Sequence, residues 1–156
     1  KQLLMLQEVI LKFEELLVGN LDYFKNTDKD VLEFKPESKW SKKEILGHLI
    51  DSAVHNLVRF TEIHYAPKPY QYRTYNQEDL VSICQYQSAD SNELILLWLS
   101  LNKQILRIFK SVDSEALHYE IELNDKSIIN LRFLMSDYVA HLEHHIKQIQ
   151  NNRYST

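Results

Sequence analysis

The chain has 156 residues, of which only two are glycine and three are proline, and its formal net charge is −4. This length fits one domain over residues 1–156, and the scarcity of glycine and proline excludes most sheet proteins, which need special turn residues about every ten positions. Acidic and basic residues are interspersed, which excludes a basic surface for nucleic acid, and the longest apolar run, Leu94–Leu99, is too short to cross a membrane.

The single cysteine, Cys84, excludes an internal disulfide and favours a reducing, cytoplasmic location. Because it ends an apolar segment that begins at Leu80, we expect it to be a small buried side chain rather than a reactive thiol. The chain opens with Lys1 and shows no small-residue cleavage site, so we expect no signal peptide.

The first predicted helix follows from apolar residues at helical spacing: Leu3, Leu6, Ile10, Phe13, Leu17 and Phe24. Gly19-Asn20 could break or end this helix. The next stretch, 26–39, is polar and contains Pro36. It predicts a connection with one short helical turn around Val31 and Leu32.

The second helix has a clear start signal. Ser41 and Glu44 form an S-x-x-E capping box, and Trp40 just before it can pack on Ile45 and fix the direction of the chain. The apolar pattern then continues as far as Ile63. Two prolines end it, Pro67 and Pro69.

The second half of the chain predicts two further long helices. A tyrosine-rich loop at 65–75 and a short helical segment at 78–84 lead to a helix over roughly 88–112, and the last helix covers roughly 129–151. Between them, the alternation at 119–123 fits either a brief hairpin or an extended loop. Together these elements predict an all-α four-helix bundle with short extra helical turns in the connections.

Three of the seven histidines crowd into one helical turn at 141–145. Successive helix residues rotate by about 100°, so His141 and His145 project side by side, whereas His144 points elsewhere. Such a pair can chelate zinc, nickel, copper or iron, but a third ligand must come from another element. His48, one turn inside the second helix, is the candidate. Three imidazoles would leave coordination positions open for water or substrate.

The helical wheel weighs against His48. This residue shares a narrow polar stripe with Ser52, His55 and Arg59, away from the apolar face, and such a stripe is usually solvated. The spacing of His141 and His145 also arises by chance in charged helices. Three interpretations therefore stay open from the residues alone: a catalytic metal site, a non-catalytic metal- or ligand-binding module, and a structural bundle without a metal.

Six further polar side chains are candidates for substrate binding or for support of the ligands: Asp51, His55, Arg59, Asp137, Tyr138 and Gln148. The two aspartates each lie one turn from a histidine and could accept hydrogen bonds from the distal ring nitrogens, although solvated carboxylates are commoner. Three of the six, His55, Arg59 and Gln148, could line a cleft, where the arginine could recognise a carboxylate or another anion. Tyr138, like His55 and Arg59, could position the substrate. The sequence does not indicate which of the six, if any, is a general base.

Two segments carry distinctive motifs. The first is W-S-x-x-E-I-L-x-H-L-x-D-S at 40–52, continuing to Asn56 and Arg59, and the second is H-x-x-H-H-x-x-Q-I at 141–149. Both resemble the motifs of the DinB/YfiT-like family. The resemblance covers nearly the whole chain. It implies an up-down-down-up four-helix bundle in which the stripe of His48 faces a cleft, and a metal bound there by His48, His141 and His145.

The same resemblance implies a function and an assembly. Family members commonly form homodimers, and characterised branches transfer groups to low-molecular-weight thiols such as bacillithiol or mycothiol, while others are called metal-dependent hydrolases. We therefore predict a cytoplasmic enzyme that uses zinc or nickel to act on a small molecule, as a thiol S-transferase or a hydrolase. The alternative is a non-catalytic metal- or ligand-binding module of a stress response. Neither nucleic acid nor a membrane is an expected partner.

Overall fold

A computed structural model of the chain describes residues 2–151 and the side chains of residues 5–151. Four long helices form a bundle: α1 Gln2–Lys25, α3 Lys42–Glu62, α5 Ser91–Ser111 and α6 Leu131–Asn151. Two short helices lie in the connections, α2 Lys29–Glu33 and α4 Gln77–Ile83. The predicted four-helix bundle with short extra helical turns is confirmed. The side chain of Leu3, the first residue of the predicted apolar stripe, lies outside the described residues.

One aromatic ring from each long helix meets in the core, and this cluster shows how the helices run. Phe13 in the first half of α1 contacts Phe109 near the end of α5, with ring centroids 5.5 Å apart. Phe60 near the end of α3 also contacts Phe109, at 4.9 Å. Tyr138 in the first half of α6 contacts both Phe13 and Phe60, at 5.7 Å each. The order is therefore up-down-down-up, with α1 and α6 parallel to each other and antiparallel to α3 and α5.

The capping box predicted for α3 is confirmed. The Ser41 hydroxyl accepts a hydrogen bond from the Glu44 amide at 3.0 Å, and the Glu44 carboxylate accepts one from the Ser41 amide at 2.8 Å. The same carboxylate also pairs with Lys35. Two otherwise unpaired backbone donors of the first turn are thus satisfied, which fixes where α3 begins and which way His48 points.

A small sheet completes the connections. Strands β2 Glu120–Glu122 and β3 Ile128–Asn130 pair in antiparallel orientation. Of the two structures expected here, a brief hairpin or an extended loop, the protein forms the hairpin. Strand β1, Tyr70–Gln71 in the tyrosine-rich loop, pairs with β2 in parallel. The sheet ties that loop to the beginning of α6, because β3 leads directly into this helix.

Two local expectations differ from the structure. Helix α1 continues through Gly19-Asn20 to Lys25, because Phe24 is buried on the same face as the residues before it. Cys84 is exposed, not buried as expected. Helix α4 ends just before it, and the chain turns at Gln85, where φ is 54°, so that the ring of Tyr86 enters the interior instead.

Among the described residues, no helix combines the length and the hydropathy that a membrane crossing requires.

Candidate metal centre

Three imidazoles from two helices converge at one point. His48 comes from α3, and His141 and His145 come from α6; one ring nitrogen of each lies within 4.8 Å of the others. The Nε2 atoms of His48 and His141 are 3.3 Å apart. The His145 ring centroid is 4.6 Å from each of the other two centroids. His48 is buried and the other two rings are half-buried, so the cluster is open on the side of α6.

This donor set fits a divalent metal ion. Two imidazole nitrogens bound to one zinc ion at 2.0–2.1 Å in tetrahedral geometry lie about 3.3 Å apart. The observed separation of the His48 and His141 nitrogens, 3.3 Å, matches that edge. Three nitrogen ligands with a fourth position left for water or substrate are typical of catalytic zinc sites, whereas structural sites use four protein ligands.

The environment keeps the three rings neutral. Burial, together with the nearby imidazoles, lowers the pKa of His48 to about 3 and that of His141 to about 4. Burial also lowers the pKa of His145, although its hydrogen bond to Gln148 acts in the opposite direction. Only a neutral imidazole offers a lone pair to a metal, so the cluster presents its lone pairs at neutral pH without first losing protons.

Gln148 supports one of the three rings directly. Its Oε1 lies 2.8 Å from Nδ1 of His145, where it accepts the N–H of the tautomer that leaves Nε2 free. Gln148 and His145 are separated by one helical turn, so α6 carries both the ring and its orienting partner. Such outer partners fix the tautomer and the orientation of ligand histidines.

Lys42 forms a hydrogen bond between α3 and α6, the two helices that carry the histidines. This lysine lies in the first turn of α3 and is only 4 % exposed. Its ammonium donates to the carbonyl of Ile149, one turn beyond His145, and to the hydroxyl of Tyr23 at 2.7 Å. A cation is favourable near the negative end of a helix. The contact therefore sets the start of α3 against the end of α6, which is the arrangement that brings the rings together.

A model of the DinB superfamily matches residues 13–149. The chain belongs to the DinB superfamily. Among solved structures, it is similar to YfiT from Bacillus subtilis, with 21 % identity and a TM-score of 0.81, over 94 % of this chain and 84 % of that one. YfiT is described as a probable metal-dependent hydrolase with an unusual four-helix bundle topology. At this identity the likeness shows the fold alone. No curated protein sequence matches the chain.

Asp51 of this DinB-superfamily chain has a partner that the sequence did not suggest. Its Oδ1 accepts a hydrogen bond from the Tyr86 hydroxyl at 2.5 Å and lies 3.9 Å from the thiol sulfur of Cys84. Burial raises the pKa of Asp51, while the Tyr86 hydrogen bond acts in the opposite direction. No hydrogen bond joins its carboxylate to His48 among the described residues.

Tyr86 reaches Asp51 across Gly47. A Cβ atom added at Gly47 would lie 2.1 Å from Cδ2 of the Tyr86 ring, so the ring occupies the space that any side chain here would need. This contact explains a glycine inside a helix, where it is ordinarily unfavourable. A helical glycine directly before a candidate ligand, His48, was the one sequence signal of such a close approach.

His55 and Arg59 hold the tyrosine-rich loop. The His55 ring stacks on Tyr75 with centroids 4.0 Å apart, and its Nδ1 lies 2.9 Å from the carbonyl of Asp51. Arg59 is buried, with its guanidinium 3.9 Å from the centre of the Tyr72 ring and donating to the carbonyl of Arg73. The polar stripe of α3 thus faces the protein, as the family resemblance implied and the helical wheel did not.

The other two candidates, Tyr138 and Asp137, differ in their burial. Tyr138 is a core residue whose hydroxyl donates to Asn102 Oδ1 at 2.7 Å. Asp137 is exposed on α6. His144 is exposed and is not one of the three histidines whose nitrogens converge, although its ring packs edge-on against His145 with centroids 5.0 Å apart.

Proposed function

We propose that this protein is a metal-dependent enzyme that acts on a small molecule and holds a divalent ion, zinc or nickel, through His48, His141 and His145. The observation that carries the proposal is the convergence of three imidazole nitrogens within 4.8 Å of one another. Imidazole is a borderline ligand that suits both ions. Membership of the DinB superfamily and the description of YfiT as a probable metal-dependent hydrolase support the same conclusion.

Each residue of the site has a defined part in this proposal. The three imidazoles bind through nitrogen and leave a position open on the half-buried side of α6, where a small molecule can approach. Gln148 keeps the His145 proton on Nδ1, 2.8 Å from its own Oε1, so that Nε2 remains a ligand atom. A divalent ion bound there supplies Lewis acidity, which lowers the pKa of a water or thiol that shares the site.

The nucleophile in this proposal comes from solution. The only cysteine of the chain, Cys84, contacts Asp51 and not the three histidines. Two reactions remain compatible with the site: transfer of a group to a low-molecular-weight thiol, and hydrolysis. Thiol S-transfer is the narrower proposal, because it follows from the resemblance to branches that use bacillithiol or mycothiol.

Metal stoichiometry in matched variants tests the proposal. We expect the purified wild type, titrated with Zn²⁺ or Ni²⁺, to bind one ion per chain and His141→Ala to lose that binding. His144→Ala is the control. His144 is an exposed histidine on the same helix but is not one of the three whose nitrogens converge, so this variant should bind the ion like the wild type. Binding that survives in His141→Ala, or that is absent from the wild type, would contradict the proposal.

Activity assays then separate enzyme from binding module. The metal-loaded and chelator-treated proteins would be given bacillithiol or mycothiol with electrophiles such as alkyl halides and epoxides, and separately a panel of esters and amides. We expect turnover that depends on the ion and is lost in His141→Ala. A protein that binds the ion stoichiometrically but turns over none of these compounds would support the non-catalytic module instead.

The proposal also includes a homodimer in the cytoplasm. The family resemblance supports the dimer, and the single cysteine supports a reducing compartment. Light scattering on the purified protein measures the assembly, with a mass near 37 kDa expected for two chains of 18.6 kDa. A mass of one chain at micromolar concentration would contradict it.

A further inference from the structure

Two buried polar atoms beside the histidine cluster have no hydrogen-bond partner among the described residues, Nδ1 of His48 and Oδ2 of Asp51. The two residues are 1 % and 5 % exposed. Buried nitrogen and oxygen atoms are nearly always hydrogen-bonded, to protein or to an ordered water, and each exception needs an explanation. These two exceptions, unlike the others among the described residues, occur on neighbouring turns of one helix beside the histidine cluster.

The rest of each side chain is already oriented. The Nε2 atom of His48 lies 3.3 Å from His141 Nε2 and therefore points into the cluster. The other oxygen of Asp51 accepts from Tyr86 at 2.5 Å. Residues three apart on a helix are neighbours on one face, with Cβ atoms about 5–6 Å apart. The two unpartnered atoms therefore belong to side chains that are neighbours on α3, and no direct hydrogen bond joins them.

Their chemistry is complementary. When His48 offers the Nε2 lone pair to the cluster, its proton must be on Nδ1, which makes Nδ1 a buried donor. A carboxylate oxygen is an acceptor. A buried water needs two to four polar partners and satisfies groups of this kind that are slightly too far apart for a direct bond.

We propose that Asp51 is a positioning residue for His48. One buried water accepts the proton on His48 Nδ1 and donates to Asp51 Oδ2, which fixes the tautomer that directs Nε2 to the metal. Gly47 and Tyr86 keep the carboxylate in place. Because Gly47 has no side chain, the Tyr86 ring packs directly against α3, and the Tyr86 hydroxyl donates a hydrogen bond to Asp51. The inference rests on the proposed metal site and adds to it a carboxylate that acts through a ligand.

The expected effect on binding follows from known outer partners of metal ligands. A hydrogen-bonded carboxylate raises the basicity of a ligand imidazole, and removing such a partner typically lowers metal affinity about 10–100-fold. Asp51→Asn has the same shape, but the Tyr86 hydroxyl favours the amide oxygen, so the amide NH₂ would face the water. The water would then face two donors, the His48 Nδ1–H and the amide NH₂, and would lose the acceptor that Asp51 Oδ2 provides in the wild type.

Two measurements test the inference. Long-range ¹H–¹⁵N NMR of the metal-free protein reports which ring nitrogen of His48 carries the proton, and competition with a chromogenic chelator reports the affinity for Zn²⁺. We expect the Nδ1–H tautomer in the wild type. For Asp51→Asn we expect a shift toward the Nε2–H tautomer and Zn²⁺ affinity about 10–100-fold lower.

Asp137→Asn is the matched control, because it removes the same charge one turn from His141 but at an exposed position, and should change neither measurement. An Nε2–H tautomer in the wild type, or an Asp51→Asn variant with wild-type tautomer and affinity, would overturn the inference. If the wild type bound no Zn²⁺, the proposed function would fail, while the tautomer of the metal-free protein would still decide the role of Asp51. The wild-type tautomer does so even if Asp51→Asn does not fold.

Discussion

Gly47 offers the sharpest test of the packing that surrounds the site. It lies in the second turn of α3, directly before His48, and an added Cβ would be 2.1 and 2.2 Å from two carbons of the Tyr86 ring. Carbon atoms in favourable contact are about 3.5–4.0 Å apart. The ring cannot move aside easily, since it is buried and its hydroxyl is bonded to Asp51.

We expect Gly47→Ala to lower the free energy of unfolding by about 2–4 kcal/mol. Expelling a buried aromatic ring costs about as much as truncating one, roughly 3–5 kcal/mol. The gain in helix propensity from glycine to alanine returns about 1 kcal/mol of that. The net loss remains large, because the clash involves the body of a ring rather than the end of a flexible side chain.

Urea unfolding measures the effect, with an unchanged m-value as the sign that only stability has changed. Gly19→Ala is the control, since an added Cβ at this exposed helical glycine meets nothing within 4 Å. We expect this control to be more stable than the wild type by up to about 1 kcal/mol. In a Tyr86→Ala background, Gly47→Ala should no longer destabilise. A Gly47→Ala variant as stable as the wild type would refute the reasoning.

Three further predictions follow from the same structure. Lys42→Met should lower the free energy of unfolding by about 1–3 kcal/mol, measured by urea unfolding, because the Ile149 carbonyl loses its charged donor and keeps only the Tyr23 hydroxyl, 3.2 Å away. The metal-free protein should lose stability as the pH falls from about 6.5 toward 4, with a slope of up to about 1.4 kcal/mol per pH unit for His48, because its folded pKa is lowered to about 3 and the unfolded state then binds more protons. Tyr138→Phe should cost about 1–2 kcal/mol, because Asn102 keeps an unpaired buried oxygen, and should leave Zn²⁺ affinity unchanged.

Matched variants or a contrary outcome check these three predictions. Lys103→Met replaces an exposed lysine and should change stability by less than about 0.5 kcal/mol. An equal loss in both lysine variants would contradict the stabilising contact of Lys42 with Ile149. His48→Asn should flatten the pH dependence, whereas His144→Asn should not. Weaker Zn²⁺ binding by Tyr138→Phe would show that the core hydroxyl acts on the metal site after all.

Local signals predicted the elements that carry the site. The capping box at Ser41 fixed the start of α3, and the scarcity of glycine and proline indicated long helices. The spacing of His141 and His145 put both on one side of α6. These properties depend on residues close together in the chain, so they can be inferred from sequence.

Partners distant in the chain could not be inferred in this way. The helical wheel indicated a solvated stripe for His48 and Arg59, because polar residues that line an internal site follow the same pattern as surface residues. Both are buried here by other elements, the tyrosine-rich loop among them. The contact of Tyr86 with Gly47 and Asp51 also depends on how α4 and the turn after it pack on α3. The burial expected for Cys84 was wrong for the same reason.

X-ray absorption spectroscopy of the protein loaded with Zn²⁺ tests the central claim most directly. The account predicts three imidazole nitrogens at about 2.0–2.1 Å and one further light ligand, with one imidazole lost in His48→Ala. A first shell dominated by carboxylate or water oxygens, or a spectrum that His48→Ala leaves unchanged, would contradict it.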